Sequence, residues 1–300
     1  MQVCSIGEVL WDQFADGEQF GGAALNFCAN LHRLGDQALL LSGVGKDVRG
    51  KLALERMVTL GLSTDGVAQV DDLATGTARV ETTPAGEPHF TIPRPAAFDG
   101  VQPSPAIARQ IEQGVTDWLY FGTLMQTAPK VEAITRQLAG LSPHLRCFYD
   151  MNLRENQWNL PLVERLSQLA TVLKLNESEA ETLHAATTPP PGTRYAVETF
   201  CRTWAERFAI EVICVTLGAE GCLVLDQGTV HRVPGFSIRV ADTVGAGDAF
   251  GAAFLHGYHR GWPVEEAARF ANALGAIVAS RAGATPEWTR EECERLMHSA

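Results

Sequence analysis

The chain has 300 residues, 46% of them apolar and 20% charged, and a formal net charge of −11. That length holds one large α/β domain with an appendage, or two ordinary domains, and the composition is that of a soluble globular protein without a disordered bias. The acidic balance argues against DNA or RNA as the main partner, since affinity there comes largely from Lys and Arg neutralising phosphates. A nucleotide needs only a local anion site and stays open.

In chain order, the opening Val3-Cys4-Ser5-Ile6-Gly7-Glu8-Val9 reads as a buried strand ending in glycine. Gly21 to Leu34 reads as a helix, with Ala24, Leu25, Phe27, Cys28, Leu31 and Leu34 at helical spacing and Gly35 as its stop. Ala38 to Ser42 is a short apolar strand, and Asp47 to Leu60 a helix again closed by glycine. Further strands are expected at Trp118–Phe121, Cys147–Tyr149, Val172–Leu175 and Val212–Thr216, each beside a helical pattern. Strands alternating with such helices indicate βαβ units and a parallel sheet covered on both faces.

One section breaks the alternation. Gly76 to Val80 and His89 to Ile92 are strand-like runs around Pro84-Ala85-Gly86-Glu87-Pro88, which is turn chemistry. Phe90 and Ile92 face one way, His89 and Thr91 the other, so the hairpin covers either an active site or the edge of the main sheet. Thr187 to Gly192, with Pro189-Pro190-Pro191, reads as a stiff surface connection. The seven cysteines are scattered, without a C-x-x-C pair, which suits free thiols in a reducing compartment. The N-terminus lacks a signal-like apolar stretch, and no window reaches the roughly eighteen apolar residues of a membrane span. The expected location is the cytoplasm.

The most informative segment is Ala241-Asp242-Thr243-Val244-Gly245-Ala246-Gly247-Asp248, followed by the helical run Ala249, Phe250, Ala252, Ala253, Phe254 and Leu255. A Gly-Ala-Gly turn opening a helix presents amides with no partner inside the helix. Those donors and the helix dipole suit a phosphate, or charge developing on a transferring phosphoryl group. Asp248, in the first turn, is ill suited to holding phosphate and well suited to taking a proton from an attacking hydroxyl. The plainer account is a glycine turn with an aspartate stabilising the helix start.

The string Asp242 to Asp248 closely resembles the C-terminal motif of the ribokinase-like, or pfkB, carbohydrate kinases. The resemblance runs from Gly7 to the region of Gly283-Ala284 and continues at other motifs. Gly21-Gly22 with Asn26 resembles the N-terminal motif, whose glycines let sugar hydroxyls approach the backbone. Asp12 resembles the sugar-binding aspartate, a carboxylate that accepts from two adjacent hydroxyls. Asn176-Glu177-Ser178-Glu179 resembles the Asn-x-x-Glu element that organises magnesium and phosphates, with Glu179 acting through water. The plainer account is an N-capping Asn176 with acidic residues complementing the dipole of the helix 176–185, and both can hold together.

Asp150-Met151-Asn152-Leu153-Arg154 resembles the Asp-x-Asn-x-Arg motif of the fructokinase and 2-keto-3-deoxygluconate kinase branches. Thr75-Gly76-Thr77, Arg94-Pro95-Ala96-Ala97-Phe98 and Phe121 to Gln126 also look fructokinase-like, although Gln126-Thr127 stands where Gln-Arg is expected. Arg79 and Arg94 read as solvated lid residues. His256 and His259, at i, i+3, lack an evident third metal ligand and read as surface helix residues. No Walker A or G-x-G-x-x-G motif occurs.

The resemblance implies an α/β, Rossmann-like three-layer ribokinase-type fold with a mostly parallel central sheet and a small β-sheet lid. Its catalytic domain would comprise residues 1–9, 21–65 and 99–300, and its lid residues 10–20 and 66–98. It implies ATP-dependent phosphorylation of a sugar hydroxyl, first of all fructose to fructose 6-phosphate. Asp248 would be the base and Gly245, Ala246 and Gly247 the amide cradle. Asp12, Gly21, Gly22, Asn26, Phe98, Asn152 and Arg154 would meet the sugar. Lys174, Asn176, Glu179, Thr216, Gly218, Gly221 and Asn272 would meet the nucleotide, with magnesium organised by Glu179. The family also leads one to look for a monovalent cation, potassium, at Asp242 and Val244, and for a homodimer formed through the lid. The other readings are a 2-keto-3-deoxygluconate kinase, a nucleoside kinase and a non-catalytic sugar or nucleotide sensor.

Overall fold

The computed structural model describes residues 1–15, 17–82, 88–187 and 194–299. The turn expected at 84–87, the triple-proline connection and the facing of His89 and Phe90 lie outside what is described. The chain divides into two compact units: an N-terminal one of Gln2–Leu145 with Arg154–Trp158, and a C-terminal one of Met1, Arg146–Leu153 and Asn159–Ala300.

In the N-terminal unit the strands are β1 (Gln2–Ile6), β2 (Leu10–Phe14), β3 (Gly17–Gly21), β4 (Gln37–Gly45), β5 (Val67–Val70), β6 (Gly76–Thr82), β7 (Pro88–Thr91) and β8 (Trp118–Gly122). They form two sheets. One runs β8-β1-β4-β5 with every pairing parallel; the other is small, in the order β3-β2-β6-β7. The crossover from β1 to β4 carries helix Ala23–Arg33, whose Phe27 stacks on Tyr120 of β8 at 3.9 Å between ring centroids. The next helix, Val48–Thr59, is capped by Asp47, which accepts from the Gly50 amide at 2.7 Å and from the amide and hydroxyl of Thr75 at 2.9 and 2.7 Å. Asp47 thereby ties the small sheet, which begins at Gly76, to the end of β4.

Val67–Val70, assigned to the lid from sequence, pairs in parallel with β4 in the larger sheet of this unit. Its Val-Ala-Gln-Val composition serves either placement; the chain path after the helix decides. The small sheet also takes in β2 and β3, whose Gly17, Glu18 and Gln19 carry no apolar alternation to announce a strand.

The C-terminal unit holds β9 (Arg146–Asp150), β10 (Val172–Asn176), β11 (Val212–Thr216), β12 (Gly221–Asp226) and β13 (Thr229–Pro234). β9, β10 and β11 pair in parallel; β12 and β13 follow as antiparallel strands at one edge. Helices Ala246–His259 and Val264–Ala279 pack on one another, their interface rich in buried alanine and phenylalanine. His256 is buried there, 1% exposed and edge-on to Trp262, which corrects its reading as a surface residue. Its position opposite Trp262 was invisible in the helical spacing alone. All seven cysteines are buried free thiols.

Candidate active site

Both units place their polar residues where open α/β sheets receive ligands, beyond the carboxyl ends of parallel strands. In the N-terminal unit, β1 ends at Ile6 and leads to Glu8, a buried carboxylate. Gly22 opens the helix with φ 125°, and any Cβ there would run into the Glu8 carbonyl oxygen. Only glycine satisfies both the left-hand backbone and the close approach. Glu8 Oε1 then accepts from the first helical amide, Ala23, at 3.0 Å. Burial pushes the Glu8 carboxyl up, while the Ala23 amide and the charges of Arg154 and Arg94 pull the other way. Glu8 is a buried carboxylate at this helix opening to which the sequence reading gave no role; its position two residues beyond a buried strand was the available signal.

Asp12 lies on β2 opposite Gln19 of β3, and is buried. Gly21 is its close neighbour: a Cβ there would stand 2.6 Å from Asp12 Oδ2. Asn26 is buried one turn into the helix, its amide donating to the Gly22 carbonyl at 2.9 Å. Asp12, Gly21, Gly22, Asn26 and Arg154 thus belong to one unit, whereas Asn152 of the same Asp-x-Asn-x-Arg motif belongs to the other.

Phe98 is fully buried, its ring against Gly76 and beneath the Arg94 guanidinium, 5.1 Å from the ring centroid. It fills a packing position. Arg94 forks both oxygens of Asp99 and donates to the Leu124 carbonyl at 2.7 Å, which corrects its reading as a solvated residue. Gln126, at the end of the short helix after β8, is 1% exposed, and neither amide atom has a partner among the described residues.

In the C-terminal unit β9, β10 and β11 end in Asp150, Asn176 and Thr216; Asn176 is the register partner of Thr216, and Asp150 that of Lys174. Asn176 and Glu179 form a reciprocal capping box: Asn176 Oδ1 accepts from the Glu179 amide at 2.9 Å, and Glu179 Oε2 from the Asn176 amide at 2.8 Å. The other oxygen, Glu179 Oε1, accepts from the Leu153 amide at 2.8 Å and so holds the Asp150–Arg154 segment. Burial pushes the Glu179 carboxyl up, against the Asn176 amide and the Lys174 charge. Within that segment Asn152 has φ 45°, and its Nδ2 has no partner among the described residues.

Lys174, buried within β10, donates to Asp150 Oδ1 at 2.9 Å. Burial opposes its charge, but Asp150 above all, then Asp248 and Glu179, hold the ammonium above the ordinary lysine range. Gly245 caps helix Ala246–His259 with φ 79°, and a Cβ there would strike the Ala284 carbonyl. The Ala246 amide reaches back to the Thr243 carbonyl at 3.3 Å, and the Gly247 amide stands in the first turn, where amides lack a partner within the helix. Asp248 is buried in that same turn. Asp242 closes the preceding loop, accepting from the Val244 amide at 3.0 Å and the Gly283 amide at 3.1 Å.

Gly218 opens a short 3-10 turn after β11, and Gly221 begins β12. Asn272 donates to the carbonyls of Val233 and Pro234, both at 3.1 Å, and so fixes the exit from β13.

Among the described residues no group of three His, Cys, Asp or Glu side chains could hold a metal by itself. Magnesium keeps several waters and takes one or two carboxylates together with phosphate oxygens. Glu179 fits such a role: each oxygen accepts one amide and retains a lone pair for a bridging water. No helix among the described residues is long and apolar enough to cross a membrane.

The sheet order, the small separate sheet and the strand-end carboxylates define an α/β kinase of ribokinase type. A family model described as pfkB family carbohydrate kinase matches residues 5–290, and the chain belongs to that family. A fructokinase of Escherichia coli is 30% identical over 247 residues, covering 79% of this chain and 76% of the relative. The 2-dehydro-3-deoxygluconokinase of Thermotoga maritima superposes with a TM-score of 0.84 at 19% identity, covering 99% of each chain. A double mutant of the Vibrio cholerae O395 fructokinase, in its fructose, ADP and potassium ion bound form, gives 0.83 at 22% identity, covering 99% of this chain and 98% of that one. At such identities the structural likeness speaks for the fold.

Proposed function

We propose that this sugar kinase is a fructokinase that transfers the γ-phosphoryl group of ATP to a hydroxyl of fructose. The observation that carries the phosphotransfer reading is the pairing of buried Asp248 with the Gly245-Ala246-Gly247 helix opening beside the Lys174 ammonium. The choice of fructose rests on the Escherichia coli relative and on the fructokinase-like motifs.

In this reading Asp248 takes the proton of the attacking hydroxyl. The Gly247 amide and the helix dipole stabilise charge on the transferring phosphoryl group. Asp12, Asn26 and Arg154 bind sugar oxygens, with Gly21 and Gly22 allowing close approach. Asn176, Thr216 and Gly218 meet the nucleotide, while Gly221 and Asn272 shape the strand ends beside it. Glu179 would hold magnesium through water, and the ion would supply neutralisation of the phosphate charge. The Asp242–Val244 loop is the proposed potassium site, as potassium is bound in the Vibrio cholerae fructokinase. The small sheet closes over the sugar to exclude water, and pairs two copies through its edge. The cytoplasm is the proposed location.

A phosphorylated substrate is less favoured: a second phosphate calls for a basic cluster, and of the two candidates, Arg79 and Arg94, Arg94 is committed to Asp99 and Leu124. The Asp150–Arg154 motif, shared with 2-keto-3-deoxygluconate kinases, keeps that sugar acid as the second reading. The test is ADP release over a panel of fructose, ribose, 2-keto-3-deoxygluconate and nucleosides. Fructose is expected to give the highest kcat/KM. Turnover of the sugar acid alone would replace the first reading, and binding without turnover of any sugar would make the protein a sensor.

A further inference from the structure

A parallel strand covered on both faces is normally an unbroken apolar run, and β10 departs from this in its interior at Lys174, before the strand ends at Asn176. Lys174 is 4% exposed, with its register partner Asp150 on β9, itself wholly buried, as its acceptor. Such a pair is a poor device for stability alone, because well-packed apolar residues commonly serve as well or better. Its value lies in where it holds the charge. A Cβ at Gly247 would stand 3.1 Å from Lys174 Nζ, so the ammonium lies directly against the helix opening, and glycine leaves room for it.

The ionisable groups facing Lys174 come from every neighbouring element: Asp150 on β9, Glu179 on the helix after β10, Cys214 on β11 and Asp248 on the helix after Gly245. Burial keeps the Cys214 thiol protonated. One ammonium thus sits among three carboxylates, beside a row of helix-start amides.

We propose that Lys174 is a catalytic residue whose ammonium meets the transferring phosphoryl group beside the Gly247 amide, and that Asp150 is the positioning residue that aims it. The inference rests on the sugar-kinase reading above. In the step, the bond from the sugar oxygen to the γ-phosphorus forms as the bond from that phosphorus to the bridging oxygen breaks. The electron pair leaves on ADP, and the hydroxyl proton passes to Asp248. Lys174 keeps its proton throughout and acts by charge and hydrogen bonding.

The test uses the full chain, calorimetric titration with ATP and with ADP, and initial rates with the sugar that turns over. Lys174→Met is expected to lower kcat about a hundredfold, to leave the sugar KM within about twofold, and to abolish the preference for ATP over ADP. Lys174→Arg should restore part of that preference, which a merely structural lysine would not require. Asp150→Asn should lower kcat without altering the sugar KM. Because breaking a buried pair destabilises strongly, the double variant Asp150→Asn/Lys174→Met removes both charges and should be about as slow as Lys174→Met alone. Turnover by Lys174→Met close to that of the wild type, or an unchanged ATP-to-ADP binding ratio, overturns the inference and leaves the kinase reading intact. A wild type that binds ATP yet phosphorylates no sugar overturns the kinase reading, and the binding ratio then decides the role of Lys174. A wild type that binds no ATP overturns both.

Discussion

The same local device occurs in both units with opposite electrostatics. In each, a glycine in the left-hand region opens a helix and is pressed against another stretch of backbone: Gly22 against Glu8, Gly245 against Ala284. At the first helix a carboxylate already occupies the opening, since Glu8 Oε1 accepts from Ala23. An anion would meet repulsion there, whereas a neutral polyol finds acceptors at Glu8 and Asp12. At the second helix an ammonium, Lys174, stands beside Gly247, among the carboxylates Asp150, Glu179 and Asp248. That opening is suited to an anion. A helix N-terminus thus takes its ligand preference from its surroundings, and in the proposed reading the first opening serves hydroxyls and the second, with an ammonium set against it, the phosphoryl group.

The strongest way to break this contrast is at the charged terminus. Asp248→Asn should lower kcat about a hundredfold or more, with ATP binding retained by calorimetry. Near-normal turnover would remove Asp248 as the base and leave the second helix a binding site only. A smaller effect is expected at the glycine of the first terminus. Gly22→Ala combines an unfavourable φ with a collision against Glu8 and should cost about 2 kcal/mol, read from the denaturant midpoint. A stability equal to wild type would show that the tight turn is not required there. The mildest change sharpens the comparison: Asp12→Asn should raise the sugar KM about tenfold, a single charged hydrogen bond's worth, with the ATP affinity untouched. Weakened ATP binding in that variant would mean that the hydroxyl and phosphate tasks are not divided as described.

Much of the scaffold was legible because periodicity and punctuation agree. Val212–Thr216 was read to the residue, and the helices ending at Gly35 and Gly61 stop where glycine takes positive φ. The hairpin β2–β3 was placed in the lid only through the family resemblance, because its second strand is mostly glycine and polar residues, and strand pairing rather than side-chain pattern holds it. β5 was misassigned because four residues cannot say which sheet they join. Arg94 was read as solvated because its acceptors, Asp99 and Leu124, are brought together only by the turn after residue 94 and the helix after β8.

From the sequence alone came the alternation of strands and helices, the glycine-opened helices and the identity of the residues set at strand ends. These depend on interactions within a few residues, so they are written locally. The tertiary structure alone decided that Lys174 meets Asp150 and lies against Gly247, that Glu8 closes the first helix, and that Phe98, Arg94 and His256 are buried. Those facts depend on packing between separate elements, which no local pattern records. The sign of the charge at each helix opening is set by such neighbours, because an electrostatic field is a sum over space and not over sequence.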